Sequence, residues 1–89
     1  MLYQIEFSKK VEKALDKIPR YILVKLQSWV DAVEKQGIYK VRKLPGYHDE
    51  PLAGDRKGQR SIRLSKAYRA FYIETNNQIL IIEVNKHDY

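Results

Sequence analysis

Residues 59–84, QRSIRLSKAYRAFYIETNNQILIIEV, contain three short runs with the residue types of β-strands. The predicted strands are 59–64, 68–74 and 78–84, joined by Ser65-Lys66-Ala67 and by Thr75-Asn76-Asn77. Connections of about three residues require antiparallel hairpins, because a parallel crossover needs roughly a dozen residues or more. This stretch therefore predicts a three-stranded antiparallel meander.

The residues before the meander predict one further strand and two helices. Residues 2–7 alternate with the period of two that is typical of a strand, and Ser8 follows where a helix cap is expected. Apolar residues then recur at helical spacing as far as Pro19, which ends or restarts the helix. A second amphipathic helix is predicted from about residue 20 to residue 36, with Gly37 as its stop.

Residues 38–58 are basic and turn-rich, with two prolines and three glycines, and predict a long surface loop. The order is then strand, helix, helix, meander. We expect a single α+β domain over residues 1–89, in which the N-terminal strand and a helical hairpin pack on a mainly antiparallel, twisted four-stranded sheet.

Composition limits the possible functions. The 89 residues include no cysteine, which excludes disulfides and thiolate metal sites. Two distant histidines, His48 and His87, make a weak case for zinc, so we expect neither metal nor cofactor. No apolar run approaches the roughly 20 residues of a membrane span, and no secretory signal is visible, so a cytoplasmic protein is expected. The net charge of +6 favours a polyanionic partner, although many small basic proteins bind no nucleic acid.

Two arginines of the meander are candidate site residues. Arg69 alternates with Phe71 and Ile73, so a permanently charged guanidinium projects from an otherwise apolar face and must be paired or line a polar site. Arg63 shares a strand face with Ser61, where a solvated polar face is the simpler interpretation.

Other candidates lie outside these two strands. Glu50 precedes Pro51 in the loop and could approach the sheet, although a loop glutamate is usually only solvated. His87 continues the alternation of Ile79, Ile81 and Glu83, and its pKa near neutrality suits proton transfer. Cations that could grip a nucleic-acid backbone crowd the loop and its surroundings: Lys40, Arg42, Lys43, Arg56, Lys57 and Arg60.

The motif PLAGDRKGQRSIRL at residues 51–64, the following Tyr68-Arg69 and the sequence EVNKH at residues 83–87 resemble the RelE/ParE superfamily of type II toxins, closest to its HigB and YoeB branches. The resemblance implies cleavage of messenger RNA in the ribosomal A site, without a metal. It further implies Glu50 as general base, Arg63 and Arg69 as phosphate-stabilising cations, and His87 as general acid. Lys86 has a basic counterpart in relatives. Tyr89 lies near the aromatic end of YoeB-like chains, which finish His-Tyr, whereas this chain ends His87-Asp88-Tyr89.

The same resemblance implies a cognate antitoxin that holds the protein inactive, and mRNA and the ribosome as partners. Two alternatives stay open. One is a non-enzymatic ParE-like inhibitor of DNA gyrase, since the same fold can support RNA cleavage or gyrase inhibition. The other is a degenerate member that only binds RNA or protein.

Overall fold

The structure is a computed structural model that describes residues 3–86. Its main elements are β1 (Gln4–Phe7), α1 (Lys9–Ala14), α2 (Arg20–Gln36), α3 (Ile38–Arg42), β2 (Glu50–Pro51), β3 (Arg60–Arg63), β4 (Tyr68–Thr75) and β5 (Gln78–Lys86). Short 3₁₀ helices cover Leu15–Lys17, Pro45–Tyr47 and Gly54–Arg56. The predicted order of strand, helix, helix and meander is confirmed.

The strands of residues 3–86 form one sheet in the order β1-β5-β4-β3-β2. Strand β1 runs parallel to β5, and the chain between them forms the helices and then strands β2 to β4; all other neighbours are antiparallel. The sheet has five strands instead of the expected four, because Glu50 and Pro51 pair with Ser61 and Arg60 at its edge. A strand of two residues is too short to leave a periodic pattern in the sequence.

The helix boundaries follow from three residues. The Ser8 hydroxyl accepts a hydrogen bond from the Val11 amide at 3.2 Å and so caps α1. Pro19 directly precedes α2, where its missing amide hydrogen is not needed. Gly37, at a φ of 85°, ends α2 in a conformation that L side chains rarely adopt. These boundaries agree with the sequence-based prediction.

The prediction of one continuous surface loop over residues 38–58 is wrong for its first part. Ile38–Arg42 forms α3 directly after Gly37, and Ile38 and Val41 are fully buried. A spacing of three residues places both side chains on one face of a helix, where they join the core. The helix was missed because a single turn contains only one such repeat.

The sheet has an inner face, which packs against the helices, and an outer face on the opposite side. The buried centre of the inner face contains Ile62, Ala70, Tyr72, Ile79 and Ile81, each at most 1% exposed. Trp29 of α2 packs against Tyr72 with ring centroids 5.1 Å apart. Within residues 3–86, no helix has the length and apolar character needed to cross a membrane.

A β-bulge in β5 changes which residues reach the outer face. Phe71 lies opposite Glu83 whereas the next residue, Tyr72, lies opposite Ile81, so Ile82 is an additional residue in the ladder. The expectation that alternate residues of the last strand all share one face is therefore wrong. Ile81 belongs to the inner face, and Glu83 belongs to the outer face.

Candidate active site

Two cross-strand rows on the outer face contain candidate catalytic residues. The first row crosses four strands and consists of Glu50, Ser61, Phe71 and Glu83. The second crosses three strands and consists of Arg63, Arg69 and Asn85. Residues directly opposite each other project from the same face. The structure thus brings Glu50, Arg63 and Arg69 to one face, in adjacent rows.

Arg69 connects the two rows. Its Nη1 donates to the Ser61 hydroxyl at 2.7 Å and lies 3.3 Å from Glu50 Oε1. Ser61 is fully buried, and the Arg69 side chain is 19% exposed, so the guanidinium is held at a defined place on the sheet. Glu50 is more open, with 53% of its side chain exposed. Arg69 is therefore paired, as the sequence analysis expected for a charge at this position.

Arg63 lies directly opposite Arg69 on the neighbouring strand. Like charges at such a position repel each other unless an anion lies between or near them. Within residues 3–86, no side chain pairs with Arg63. Among the described residues, these two guanidiniums are paired with a single carboxylate, that of Glu50, and such an excess of positive charge attracts a phosphate.

Arg56 lies over the middle of the first row. Its guanidinium lies 4.3 Å from the centroid of the Phe71 ring and donates to both carboxylate oxygens of Glu83 at 3.0 Å. Its Nη1 also donates to the Gln59 side chain at 2.9 Å. The 3₁₀ turn Gly54–Arg56 is thereby fixed against the outer face and forms one wall of the site.

Glu83 is the anchor of this wall. Besides the hydrogen bonds from Arg56, Glu83 accepts hydrogen bonds from Lys10 of α1 and from the side-chain amide of Asn85. Burial alone raises the pKa of a carboxyl, but the hydrogen bonds from Arg56 and Lys10 outweigh it and hold the pKa of Glu83 below its ordinary value of 4.5. The carboxylate is therefore charged at neutral pH and holds Arg56 in place.

The cations predicted to bind RNA fall into two groups. Arg56 is committed to Glu83, Arg42 donates to Glu74 at 2.7 Å, and Arg60 donates to Asp49 at 2.6 Å. The remaining four are exposed and form no ion pair with any residue in the described range: Lys40, Lys43, Lys57 and Lys86. His87 and Tyr89 lie outside the described residues.

Two residues of the site were not singled out from the sequence. Ser61 was noted only as a neighbour of Arg63, yet its hydroxyl contacts Arg69. Asp49 is not among the candidates from the sequence, yet its side chain is fully buried. No local pattern marks it, because β2 contains only two residues and Asp49 lies just before them. Within residues 3–86, no three histidine, aspartate or glutamate side chains form a group that could hold a metal ion.

Comparison with known protein families identifies the family to which this fold belongs. The family described as "ParE toxin of type II toxin-antitoxin system, parDE" matches residues 5–88. The chain belongs to this toxin family. It is thus a type II toxin of the RelE/ParE superfamily, and the resemblance noted in the sequence is confirmed at the level of the superfamily. No curated protein matches the sequence directly.

Solved toxin structures share the fold. RelE of the archaeal RelE-RelB complex from Pyrococcus horikoshii OT3 is 23% identical over 97% of this chain and 96% of that chain, with a TM-score of 0.75. YafQ from E. coli strain BL21(DE3) is 18% identical over 94% and 92% of the two chains, with a TM-score of 0.72. YoeB of the Staphylococcus aureus dimer is 20% identical over 100% of both chains, with a TM-score of 0.70. At these identities the likeness establishes the α+β toxin fold.

Proposed function

We propose that this toxin is an endoribonuclease that cleaves messenger RNA by acid–base chemistry at the outer face of its sheet. The observation that carries the proposal is the placement of Glu50 beside Arg69, with Arg63 directly across the sheet. A carboxylate that can take a proton and two guanidiniums that can hold a phosphate are the groups needed for transfer of an RNA phosphodiester. A surface that only binds a partner has no need for this combination.

In the proposed reaction, Glu50 removes the proton of a ribose 2′-hydroxyl. The 2′-oxygen attacks the adjacent phosphorus, the bond from phosphorus to the 5′-oxygen breaks, and a 2′,3′-cyclic phosphate forms. Arg63 and Arg69 stabilise the negative charge that increases on the phosphate oxygens in the transition state. Because Arg69 is fixed by Ser61, little reorganisation is needed when that charge develops.

The leaving 5′-oxygen needs a proton, and we assign its donor to His87. This assignment rests on the position of a histidine in similar toxins and on an imidazole pKa near neutrality. His87 follows Lys86, the last residue of β5, and β5 also carries Glu83 and Asn85 in the rows of the site.

The partners are proposed on the same basis. The exposed lysines at positions 40, 43, 57 and 86 would contact the RNA backbone, and cleavage would take place in the ribosomal A site. The similar structures include complexes of a toxin with an antitoxin, RelE-RelB and DinJ-YafQ. We propose a cognate antitoxin with an acidic or amphipathic segment as the inhibitor of this protein.

A reconstituted translation reaction with a defined message tests the activity, with primer extension as the readout. Wild-type protein is expected to produce discrete breaks, and Glu50→Gln and His87→Ala are each expected to reduce their rate by about 100-fold or more. Arg20→Ala is the control, because it also changes one charge but lies at the exposed start of α2. Intact message with the wild-type protein would refute the nuclease.

The family match itself supports a second candidate, because the matching family is named for ParE of the parDE system. In this alternative the toxin binds and inhibits DNA gyrase without cleaving RNA. A supercoiling assay with purified gyrase distinguishes the two: the nuclease leaves supercoiling unchanged, whereas the alternative inhibits it and leaves the message intact.

A further inference from the structure

Asp49 has an unusual environment for a carboxylate that directly precedes a candidate general base. Its side chain is fully buried, and both of its oxygens are used. Arg60 Nε donates to Oδ1 at 2.6 Å, and the Tyr72 hydroxyl donates to Oδ2 at 2.6 Å. Hydrogen bonds that involve a charged group are shorter and stronger than neutral ones, so Asp49 is firmly held.

The two partners of Asp49 belong to a larger network on the inner face. Arg42 Nε donates to the Tyr72 hydroxyl at 3.2 Å, and its Nη2 donates to Glu74 at 2.7 Å. Burial, and then the hydrogen bond to Asp49, raise the pKa of Tyr72 well above its ordinary value, so the phenol remains a donor at all physiological pH values. Two arginines are matched by two carboxylates, so the network is neutral and complete in itself.

This network is rigidly connected to the core. The Tyr72 ring packs against Trp29 and is only 1% exposed, and Arg60 lies opposite Tyr72 in the ladder between β3 and β4. The carboxylate of Asp49 is therefore tied to strands whose positions are set by the packing of the helices on the sheet.

Strand β2, in contrast, has little else to hold it. It contains two residues, and among residues 3–86 it pairs only with β3. It continues into the loop through one hydrogen bond from the Leu52 amide to Gln59 at 2.9 Å. Glu50 and Pro51 are both exposed. So short a strand at the edge of a sheet is expected to open readily unless side chains fix it.

We propose that Asp49 is the positioning residue of the site: its buried contacts with Arg60 and Tyr72 fix β2 from the inner face and so place the Glu50 carboxylate beside Arg69 on the outer face. Its catalytic part rests on the proposed nuclease function. Asp49 touches no substrate in this arrangement and acts through the backbone of its neighbour. Without Asp49, the Glu50 carboxylate can still accept a proton but is no longer held beside Arg69.

A double-mutant cycle tests the catalytic part. Asp49→Ala is expected to lower kcat by about 10- to 100-fold with KM nearly unchanged, because the base is misplaced while the RNA-binding cations stay intact. In a Glu50→Gln background the same change is expected to have less than about a twofold effect, because the group that it positions is already lost. Equal effects in both backgrounds would overturn the proposal.

Two further variants distinguish a loss of positioning from general unfolding. Tyr72→Phe keeps the ring that packs on Trp29 and removes only the hydroxyl, so it is expected to reduce kcat less than Asp49→Ala does, with the same dependence on Glu50. Asp31→Ala is the matched control, because it removes an exposed carboxylate whose contact is with Gln27 on α2. It is expected to leave kcat unchanged.

A measurement independent of activity separates this inference from the proposed function. Hydrogen exchange of the Leu52 amide, which reports on β2, is expected to speed up about tenfold or more in Asp49→Ala and to stay unchanged in Asp31→Ala. If the wild-type protein cleaves no RNA, the nuclease proposal fails and exchange alone decides whether Asp49 fixes β2. Unchanged exchange would overturn the structural basis of the inference, whatever the activity.

Discussion

The two faces of the sheet contain polar clusters built from the same strands, and they differ in how completely their charges are used. On the inner face, Arg42 and Arg60 are matched by Glu74 and Asp49. On the outer face, Arg69 pairs with the exposed carboxylate of Glu50. Arg63 pairs with no carboxylate within residues 3–86. The inner cluster can therefore stabilise the fold but has no charge left for a ligand.

This contrast shows why counting cations in a sequence does not locate a phosphate site. Arg42, Arg56 and Arg60 looked equivalent to their lysine neighbours in a basic segment, and all three are held by carboxylates. Among the arginines of the two clusters, the one without a carboxylate partner in residues 3–86 is Arg63, which lies in strand β3. Variants on the two faces should consequently separate activity from stability.

Arg69→Lys is expected to have the largest effect on activity. A lysine keeps the charge but cannot contact Ser61, Glu50 and a phosphate with one planar group, so we expect a loss of about 100- to 1000-fold in the rate of RNA cleavage. The free energy of unfolding should change little by comparison. Full cleavage activity in this variant would show that Arg69 does not contact the transition state.

Arg42→Ala is expected to show the opposite behaviour. Removal of this guanidinium leaves the largely buried Glu74 without its ion-pair partner and takes one of two hydrogen bonds from the Tyr72 hydroxyl, and we expect a loss of about 2–3 kcal/mol in the free energy of unfolding. Urea denaturation measures it, with the exposed Lys40→Ala as control. Cleavage per folded molecule should remain within about threefold of wild type; a much larger loss would place Arg42 in the RNA-binding surface.

Glu83→Gln tests the wall formed by Arg56 and gives a pH dependence. Since the pKa of Glu83 is lower in the folded state than its ordinary value of 4.5, its stabilising contribution is complete above that pH and is lost as the pH falls through the folded-state pKa. At neutral pH the variant should lose about 1–2 kcal/mol. Denaturation curves of the two proteins should converge below pH 4.5; a constant difference across this range would contradict the assignment.

Lys57→Ala should have the smallest effect. An exposed lysine that contacts a phosphate contributes mainly by releasing counterions, so binding to ribosomes or RNA should weaken modestly and the slope of log affinity against log salt should fall by about one. The free energy of unfolding should not change. Glu34→Ala on α2 is a control for a charge change at another exposed position.

Patterns that extend over several residues predicted the fold well. The antiparallel meander, the Ser8 cap and the helix boundaries at Pro19 and Gly37 could all be predicted, because alternation, helical spacing and capping are local properties. The convergence of Glu50, Arg63 and Arg69 on one face could also be anticipated from alternation together with the family resemblance.

Features that depend on single residues or on tertiary contacts could not be predicted from the sequence. The bulge at Ile82 moves Glu83 to the outer face and breaks the period of two without any local signal. Strand β2 and helix α3 are too short to show a period. The commitment of Arg42 and Arg60 to the inner face depends on Tyr72 and Asp49, which are distant in sequence, so only the folded chain reveals it.

The strand order has a consequence for how the molecule is built. Strand β5 is the last of the five in sequence, yet it lies between β1 and β4. Gln4 therefore has no sheet partner until Gln78 has been synthesised, and Lys10 and Arg56 have no Glu83 to bind. A nascent chain that stops before β5 therefore contains neither the complete sheet nor the contact between Arg56 and Glu83 that fixes one wall of the outer face.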